Sequence, residues 1–254
     1  MYNSPLLITG PGRTGSTALA RALNLSNLFS ITHEWGLYCR SIGAIRARIS
    51  KLREKGPDVD NFPSCSSISQ KELIELNKTG EFDKDLLFDM LFKEAKVYGD
   101  KMPRAYLRNF EETMQQYRKA KFLITIRDGR GTIASQIRND KNKHFWALDT
   151  IEECCTHAEG NWLLAMHNWE RMKPMLIERV HYLEIRYEEA TTNPEQALRE
   201  ICNFVDIEFK IEDWKKSLDY YKPTHLDAWK EELPDMEQKL TNEFVECLRR
   251  WNYE

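Results

Sequence analysis

The sequence predicts a three-layer α/β fold, with a central, mostly parallel sheet flanked by helices. Three observations carry this. The apolar run Leu6-Leu7-Ile8 ends in a glycine-rich turn that opens a helical pattern. The run Phe122-Leu123-Ile124-Thr125-Ile126 ends in Arg127-Asp128-Gly129-Arg130-Gly131 and opens a second one. His181 to Tyr187 repeats the arrangement, and Asn193-Pro194-Glu195 starts the helix behind it. Strands alternating with helices build parallel sheets, whose ligands bind at the carboxyl edge.

In chain order, the first strand runs into Gly10-Pro11-Gly12-Arg13-Thr14-Gly15-Ser16-Thr17. Ala18, Leu19, Ala22 and Leu23 then share one helix face. Strand, loop and helix start aim backbone N–H groups and a positive dipole end at one point. That is an anion cradle, most often for phosphate. The spacing G-x-x-x-x-G-S-T is P-loop-like but one residue short of a Walker A motif. Ser16 stands where nucleotide triphosphatases carry lysine, and Arg13 supplies the cation. The pattern speaks for phosphate and against ordinary ATP chemistry. Its bland alternative is a glycine-rich turn with no ligand.

Leu28 to Thr32 reads as a strand next to the first one, leading into His33-Glu34-Trp35-Gly36 at the carboxyl edge. Arg40, Arg46, Arg48, Lys51, Arg53 and Lys55 follow, with Ile42, Ile45, Ile49 and Leu52 at helical spacing. This basic helix is read as a solvated face in preference to an acceptor-binding one. Pro57 to Ser69 has loop composition, and Lys71 to Lys96 reads as helix broken near Gly80. Val97 to Pro103 is a short strand whose end carries Lys101, and Phe110 to Tyr117 is amphipathic helix.

After the strand ending at Ile126, Gly131, Ser135 and Arg138 share a helix face. Arg127 and Ser135 can therefore converge on a second anion; otherwise this is a βα unit whose arginines pair with acids. Glu152 to Glu178 reads as a long helix with Trp162, Met166 and Trp169 in the core. Pro194 suits the first position of the next helix, and a charged helix is expected from Asp235 to Trp251.

No break in composition divides the 254 residues, so residues 1–254 read as one domain. A net charge of −3 provides no global field for nucleic acid or a membrane surface, and no nucleic-acid partner is expected. No apolar run approaches the ~20 residues of a transmembrane helix, and no signal peptide is visible. The six cysteines include no C-x-x-C, and Cys154-Cys155-x-His157 is too tight for a usual zinc pair. They read as reduced packing thiols of a cytoplasmic protein without a metal site.

Two anion sites imply a ligand with two separated phosphate groups, and here the residues resemble a known family. Arg13-Thr14-Gly15-Ser16-Thr17 resembles the 5′-phosphosulfate loop of sulfotransferases that use 3′-phosphoadenosine-5′-phosphosulfate (PAPS). Arg127-Asp128-Gly129-Arg130, with Ser135 on the helix behind it, resembles their 3′-phosphate site. Arg186-Tyr187-Glu188-Glu189 followed by Asn193-Pro194-Glu195 is similar to the segment after the family's core strand. The likeness is nearest to the tyrosylprotein and bacterial branch. The family's arginine past the serine would be Arg138, shifted by one. Residues 36–95 match nothing in the family and read as a helical, acceptor-side insertion.

The resemblance implies that Gly12, Arg13, Thr14, Gly15, Ser16 and Thr17 hold the 5′ end of PAPS, and Arg127 and Ser135 its 3′-phosphate. It adds Tyr187 and Lys222 as further nucleotide contacts. It implies Glu34 as catalytic base, Arg13 and Lys101 as cations on the leaving oxygen, adenosine 3′,5′-bisphosphate (PAP) as product, and no metal. His33 is the alternative base, because small-molecule sulfotransferases use a histidine. Neighbours on an extended segment face opposite sides, so only one of the two should face the sulfuryl group unless the chain turns sharply between them. Imidazole chemistry favours His33; position in the chain favours Glu34, which is preferred here.

The implied acceptor is a hydroxyl or amine of a carbohydrate, small metabolite, lipid or peptide. Two other classes compete. A metal-dependent P-loop kinase would need lysine at position 16 and an acidic metal ligand. A non-catalytic nucleotide-binding module would have no use for Glu34 and Lys101.

Overall fold

Leu6 and Ile8 pack on one side of the sheet and Leu7 on the other, and all three are buried. A strand covered on both faces requires this. The computed structural model describes residues 4–54, 66–80, 82–143, 150–221, 226–232, 235 and 239–253. Five parallel strands form the sheet: β1 (Leu6–Thr9), β2 (Phe29–His33), β3 (Val97–Lys101), β4 (Lys121–Ile126) and β5 (Tyr182–Arg186). Their order is β2-β3-β1-β4-β5.

One face is covered by α1 (Ser16–Leu25), which joins β1 to β2, together with α10 (Pro194–Phe204) and α11 (Ile211–Tyr220). Leu19, Leu23, Leu198, Ile201 and Trp214 pack there on Leu6, Ile8, Leu123 and Ile185. The other face carries the larger core. To it belong α4 (Lys84–Phe92), α5 (Ala105–Arg108), α6 (Phe110–Gln116), α7 (Gly129–Lys143), α8 (Ile151–Met172) and α13 (Asn242–Arg250). Trp162, Met166 and Trp169 are buried in it, as their spacing predicted. Helices α2 (Ile42–Glu54) and α3 (Gln70–Thr79) complete the stretch between β2 and β3, while α9 (Tyr187–Thr192) and α12 (Ala228–Glu232) are short. Among the described residues, no helix is long and apolar enough to cross a membrane.

Several boundaries differ from expectation. Strand β2 does not neighbour β1; β3 lies between them, pairing Leu7 with Asp100 on one side and His33 with Lys101 on the other. The long excursion through α2, α3 and α4 lets the chain return into the middle of the sheet, where buried Gly99 can approach β1. Helix α8 stops at Met172, because Pro174 cannot donate an N–H to continue it and a 3-10 turn takes over. Helix α13 begins at Asn242, capped by Thr241, whose Oγ1 accepts from the Phe244 N–H. Tyr187 opens α9 and does not extend β5. The break near Gly80 is as expected, with Gly80 ending α3 in the left-handed conformation that favours glycine. Most of the loop read from Pro57 onward, with Cys65, lies outside the described residues.

A Cβ added at Gly99 would sit 1.8 Å from the Leu6 carbonyl oxygen, whereas one at Gly160 on α8 would meet nothing within 4 Å. Gly99→Ala is therefore expected to cost about 1–3 kcal/mol or more. Gly160→Ala should stabilise by up to about 1 kcal/mol, as alanine replaces glycine inside a helix. Urea midpoints of the two variants test this pair.

Candidate functional site

At the carboxyl edge, β1 turns into α1 through a backbone few residues tolerate. Arg13 holds a left-handed φ of 66° and Gly15 one of 77°. A Cβ at Gly15 would lie 2.4 Å from the Tyr187 ring, so the loop needs glycine both for its torsion and for the aromatic packed against it. Helix α1 then starts at Ser16 with no side-chain cap and no acid in its first turn. Its first N–H groups have no side-chain acceptor and open on the cavity. Gly12, Arg13, Gly15, Ser16 and Thr17 line that cavity of about 730 Å³. Thr14 does not. It is buried, its Oγ1 donating to the Pro11 carbonyl and sharing a 2.7 Å hydrogen bond with Thr125 Oγ1, which ties the loop to β4.

The second group of cations lies where β4 meets α7. Arg127 lines the cavity, stacks 4.2 Å from the centre of the Tyr187 ring and donates to the Arg13 carbonyl at 3.2 Å. Arg13 sends its side chain to this group, its Nε donating to Ser135 Oγ at 3.2 Å. Burial lowers the Arg13 pKa, and the charges of Arg127 and Arg138 lower it further. Burial acts on Arg127 in the same direction, again with help from Arg138. Arg138 thus belongs to the cluster electrostatically. Arg130 follows the alternative reading of its segment: it pairs with Asp128 at 2.8 Å, stacks on Trp229 and faces away from the cavity.

Between β1 and β2, the end of β3 presents Lys101. Its ammonium, almost wholly buried, donates to Thr17 Oγ1 at 2.9 Å and Glu34 Oε1 at 2.8 Å. The chain turns sharply at Glu34, whose φ is 59°. That turn leaves His33 buried at the strand end while the half-exposed Glu34 carboxylate lines the cavity. Burial pushes the Glu34 carboxyl up, but Lys101, with Arg48 and His33, outweighs it and holds the group below its usual 4.5. Asp100, fully buried behind this centre, supports the turn. It accepts from Thr32 Oγ1 (2.6 Å), Tyr106 Oη (2.6 Å) and the N–H groups of Gly36 (2.8 Å) and Trp35 (3.4 Å). Burial raises its pKa despite these donors.

The cavity gathers Arg13, Ser16, Thr17, Glu34, Arg127, Ser135 and Tyr187. Lys222 lies outside the described residues. Sequence reasoning missed Arg21, Arg104, Asn161 and Tyr220, which also line the cavity. The strand end Lys101-Met102-Pro103, directly before it, was the nearest signal for Arg104. Asn161 could have been read from its place beside Trp162, one residue off the apolar face of α8.

A model of the sulfotransferase family matches residues 5–213. Protein-tyrosine sulfotransferase A of Caenorhabditis elegans is 24% identical over 226 residues, covering 78% of this chain and 58% of that protein. The chain thus spans under two thirds of that relative's length. Among solved structures, the sulfotransferase domain from the curacin biosynthetic pathway superposes with a TM-score of 0.65 at 18% identity, covering 99% of this chain and 98% of that one. A sulfotransferase from Alicyclobacillus acidocaldarius gives 0.59 at 18% identity, covering 98% and 94%. Mouse sulfotransferase SULT7A1 complexed with PAP gives 0.52 at 13%, covering 98% and 81%. These likenesses establish a shared fold.

The raised Asp100 pKa has a testable sign. Its contribution to stability is full below the unfolded value near 3.8 and declines as pH rises through the higher folded value. Asp100→Asn removes this titration and sets an amide N–H₂ against the surrounding donors, an expected cost of about 1–3 kcal/mol. The stability gap between wild type and variant should therefore narrow as pH rises from about 4 towards 7. Urea titrations across that range measure it.

Proposed function

The chain belongs to the sulfotransferase family, and from that premise we propose that it moves a sulfuryl group from PAPS to a hydroxyl or amine of an acceptor, with Glu34 as base and without a metal. One observation carries the proposal: a single cavity is walled by two separate anion-binding groups, with a carboxylate–ammonium pair beside the first. The first group is the uncapped start of α1 with Thr17 and Lys101; the second is Arg127, Ser135, Arg13 and, at a distance, Arg138. This donor set fits a ligand with phosphate groups at both ends of a nucleoside.

Gly12, Arg13, Thr14, Gly15, Ser16 and Thr17 form the loop that would hold the phosphosulfate, Thr14 acting from behind by tying it to β4. Arg127 and Ser135 would hold the 3′-phosphate, which separates this donor from ATP. Tyr187 closes the loop at Gly15 and supports the Arg127 guanidinium. Lys222 is assigned to the nucleotide on the family likeness alone. When bound, PAPS supplies an activated sulfuryl group on a 5′-phosphate leaving group.

Lys101 and the first N–H groups of α1 serve the growing negative charge as fixed donors. Arg13 adds positive charge from the side of Ser135. A sulfuryl group carries less charge than a phosphoryl group, so side-chain cations take the place that Mg²⁺ fills in kinases. Glu34 takes the acceptor's proton, a step typically worth ~10²–10⁴-fold. In the resting site Lys101 weakens Glu34 as a base; as its ammonium turns to the leaving oxygen, the carboxylate regains proton affinity.

Residues 1–254 act as one domain, and residues 36–95 form its acceptor side. Free thiols at Cys39, Cys154, Cys155, Cys202 and Cys247 support a reducing, cytoplasmic setting. The acceptor is a carbohydrate, small metabolite, lipid or peptide, the last being the class named in the C. elegans relative.

Calorimetry should find PAP bound much more tightly than AMP, and Arg127→Ala should remove about 1.5–3 kcal/mol of that preference. Equal affinity for the two nucleotides in wild type would refute the donor assignment. Turnover should survive excess EDTA; restoration by Mg²⁺ after loss would favour kinase chemistry. Glu34→Gln should keep PAP binding and lower kcat by at least ~10²-fold, while His33→Asn costs far less. Because Lys101 depresses the Glu34 pKa, the acid limb of kcat/KM should lie below 4.5 and rise in Lys101→Ala.

A further inference from the structure

The peptide that joins Arg127 to Asp128 is held at both ends. Its carbonyl oxygen accepts from Trp162 Nε1 on α8 at 3.2 Å, and its N–H donates to Glu188 Oε1 on α9 at 2.9 Å. The oxygen and hydrogen of a trans peptide point to opposite sides. Two opposed bonds therefore fix the plane between them, and with it the ψ of Arg127, which limits where that side chain can go. The guanidinium lies 4.2 Å from the centre of the Tyr187 ring. Gly131 leaves it room, since a Cβ there would sit 3.0 Å from Arg127 Nε.

Glu188 is itself held. Its second oxygen accepts from Tyr253 Oη at 3.2 Å, so one carboxylate bridges the β4–α7 turn and the segment that follows α13. Tyr253 is tied to the same region by further contacts. Its carbonyl accepts from Arg130 at 3.2 Å, and its ring lies 4.9 Å from the guanidinium of Arg186, which donates to the Trp251 carbonyl at 3.0 Å. Burial, with the Glu188 charge after it, raises the Tyr253 pKa and keeps the phenol a donor. Neither Glu188 nor Tyr253 lines the cavity that holds Arg127 and Tyr187. They form a layer behind it.

Building on the proposed donor assignment, we infer that Glu188 is a positioning residue for the 3′-phosphate and that Tyr253 holds it in that role: together they set the Arg127 fork, and neither touches the ligand. The sign of the charge separates this role from a plain electrostatic one. The Glu188 charge favours the Arg127 cation. Acting as a charge alone, it would offset Arg127 and weaken the attraction for phosphate, and its removal would tighten the nucleotide. Acting as an anchor, it does the opposite. Its loss frees the Arg127–Asp128 peptide, and the fork is no longer arranged before the phosphate arrives. Glutamine preserves the anchor without the charge, because its amide oxygen still accepts from the Asp128 N–H and its amide N–H can donate to Tyr253 Oη.

The test compares wild type with Glu188→Gln, Glu188→Ala and Tyr253→Phe in the full chain, using PAP and AMP, which differ in the 3′-phosphate alone. Calorimetry should show Glu188→Ala lowering PAP affinity about tenfold and AMP affinity less than about twofold. Glu188→Gln should keep the preference for PAP within about twofold of wild type. Tyr253→Phe should lower that preference several-fold, and should add nothing in the Glu188→Ala background. A second measurement needs no ligand. Over the Tyr187 ring, the Arg127 Nε proton gives an NMR resonance shifted by the ring current. Glu188→Ala should move it towards the position of free arginine, and Glu188→Gln should leave it in place. If the alanine variant does not fold, Tyr253→Phe decides by the same two readouts. The inference is overturned if Glu188→Ala tightens PAP, weakens PAP and AMP alike or leaves the Arg127 resonance unmoved, or if the glutamine variant behaves as the alanine one does. A wild type that binds PAP no better than AMP refutes the donor assignment instead, and the Arg127 resonance then decides the anchor on its own.

Discussion

An ammonium with about 1% exposure must find acceptors within the protein, because stranding a charge away from water costs several kcal/mol. Lys101 finds them on both of its neighbours: Thr17 at the start of α1, which follows β1, and Glu34 just past β2. That arrangement exists only because β3 lies between β1 and β2. With β2 paired directly to β1, the lysine would face at most one of its partners. The same strand carries Asp100, which anchors the backbone of Trp35 and Gly36 and so keeps the turn at Glu34 in place. Sheet order, buried cation and glutamate position are therefore one structural decision.

The arginines depend on the fold in the opposite sense. Arg127 is buried and Arg13 keeps part of its side chain open to solvent, yet both are disfavoured as cations by desolvation and by a further arginine. Gathering them before any anion is present costs stability. The cost is eased by the charges of Glu34 on Arg13 and of Glu188 and Asp128 on Arg127, and by fixed anchors: Ser135 for Arg13, the Arg13 carbonyl and the Tyr187 ring for Arg127. Such donors stand ready without reorganisation when an anion arrives. Electrostatic discomfort in the resting protein and affinity for a multiply charged ligand share one origin.

How much of this could be read from the chain depends on the range of the interaction. Local patterns were legible. The strand, glycine loop and helix around Gly15, the βα unit at Arg127 and the capped start of α10 each follow from residues close in sequence. Lys101 and Glu34 could be picked out by their places at strand ends. Pairing order was not legible, since nothing in Phe29–His33 or Val97–Lys101 says which strand sits beside β1. The direction of the Arg13 side chain depends on Ser135, more than a hundred residues away, and so was also hidden. Arg104 escaped for the same reason, since its guanidinium meets Asn161, far along the chain. A charge on a helix face looks solvated until the tertiary fold shows which residue it meets.

Backbone torsions point to the same centre independently of any charge. Arg13, Glu34 and Arg104 all adopt positive φ, and all three line one cavity. None has the short polar side chain that eases this conformation, as Asn27, Asp206 and Asn252 do elsewhere; among the described residues Arg179, in the turn before β5, is the one other long side chain that adopts it. Left-handed residues of this kind cost of order 1–3 kcal/mol and persist where the surroundings over-determine them. Here the surroundings are visible. The Glu34 N–H is held by the Lys101 carbonyl at 2.7 Å, the Arg104 N–H by the Gly10 carbonyl at 3.0 Å, and the Arg13 carbonyl accepts from Arg127 at 3.2 Å. Each anchor comes from the β1–β3–β4 edge of the sheet. Had the chain continued straight past His33, strand alternation would have set Glu34 and His33 on opposite faces with no preference between them. The turn removes that ambiguity: the imidazole stays in the sheet, and the carboxylate is delivered to the cavity beside Lys101.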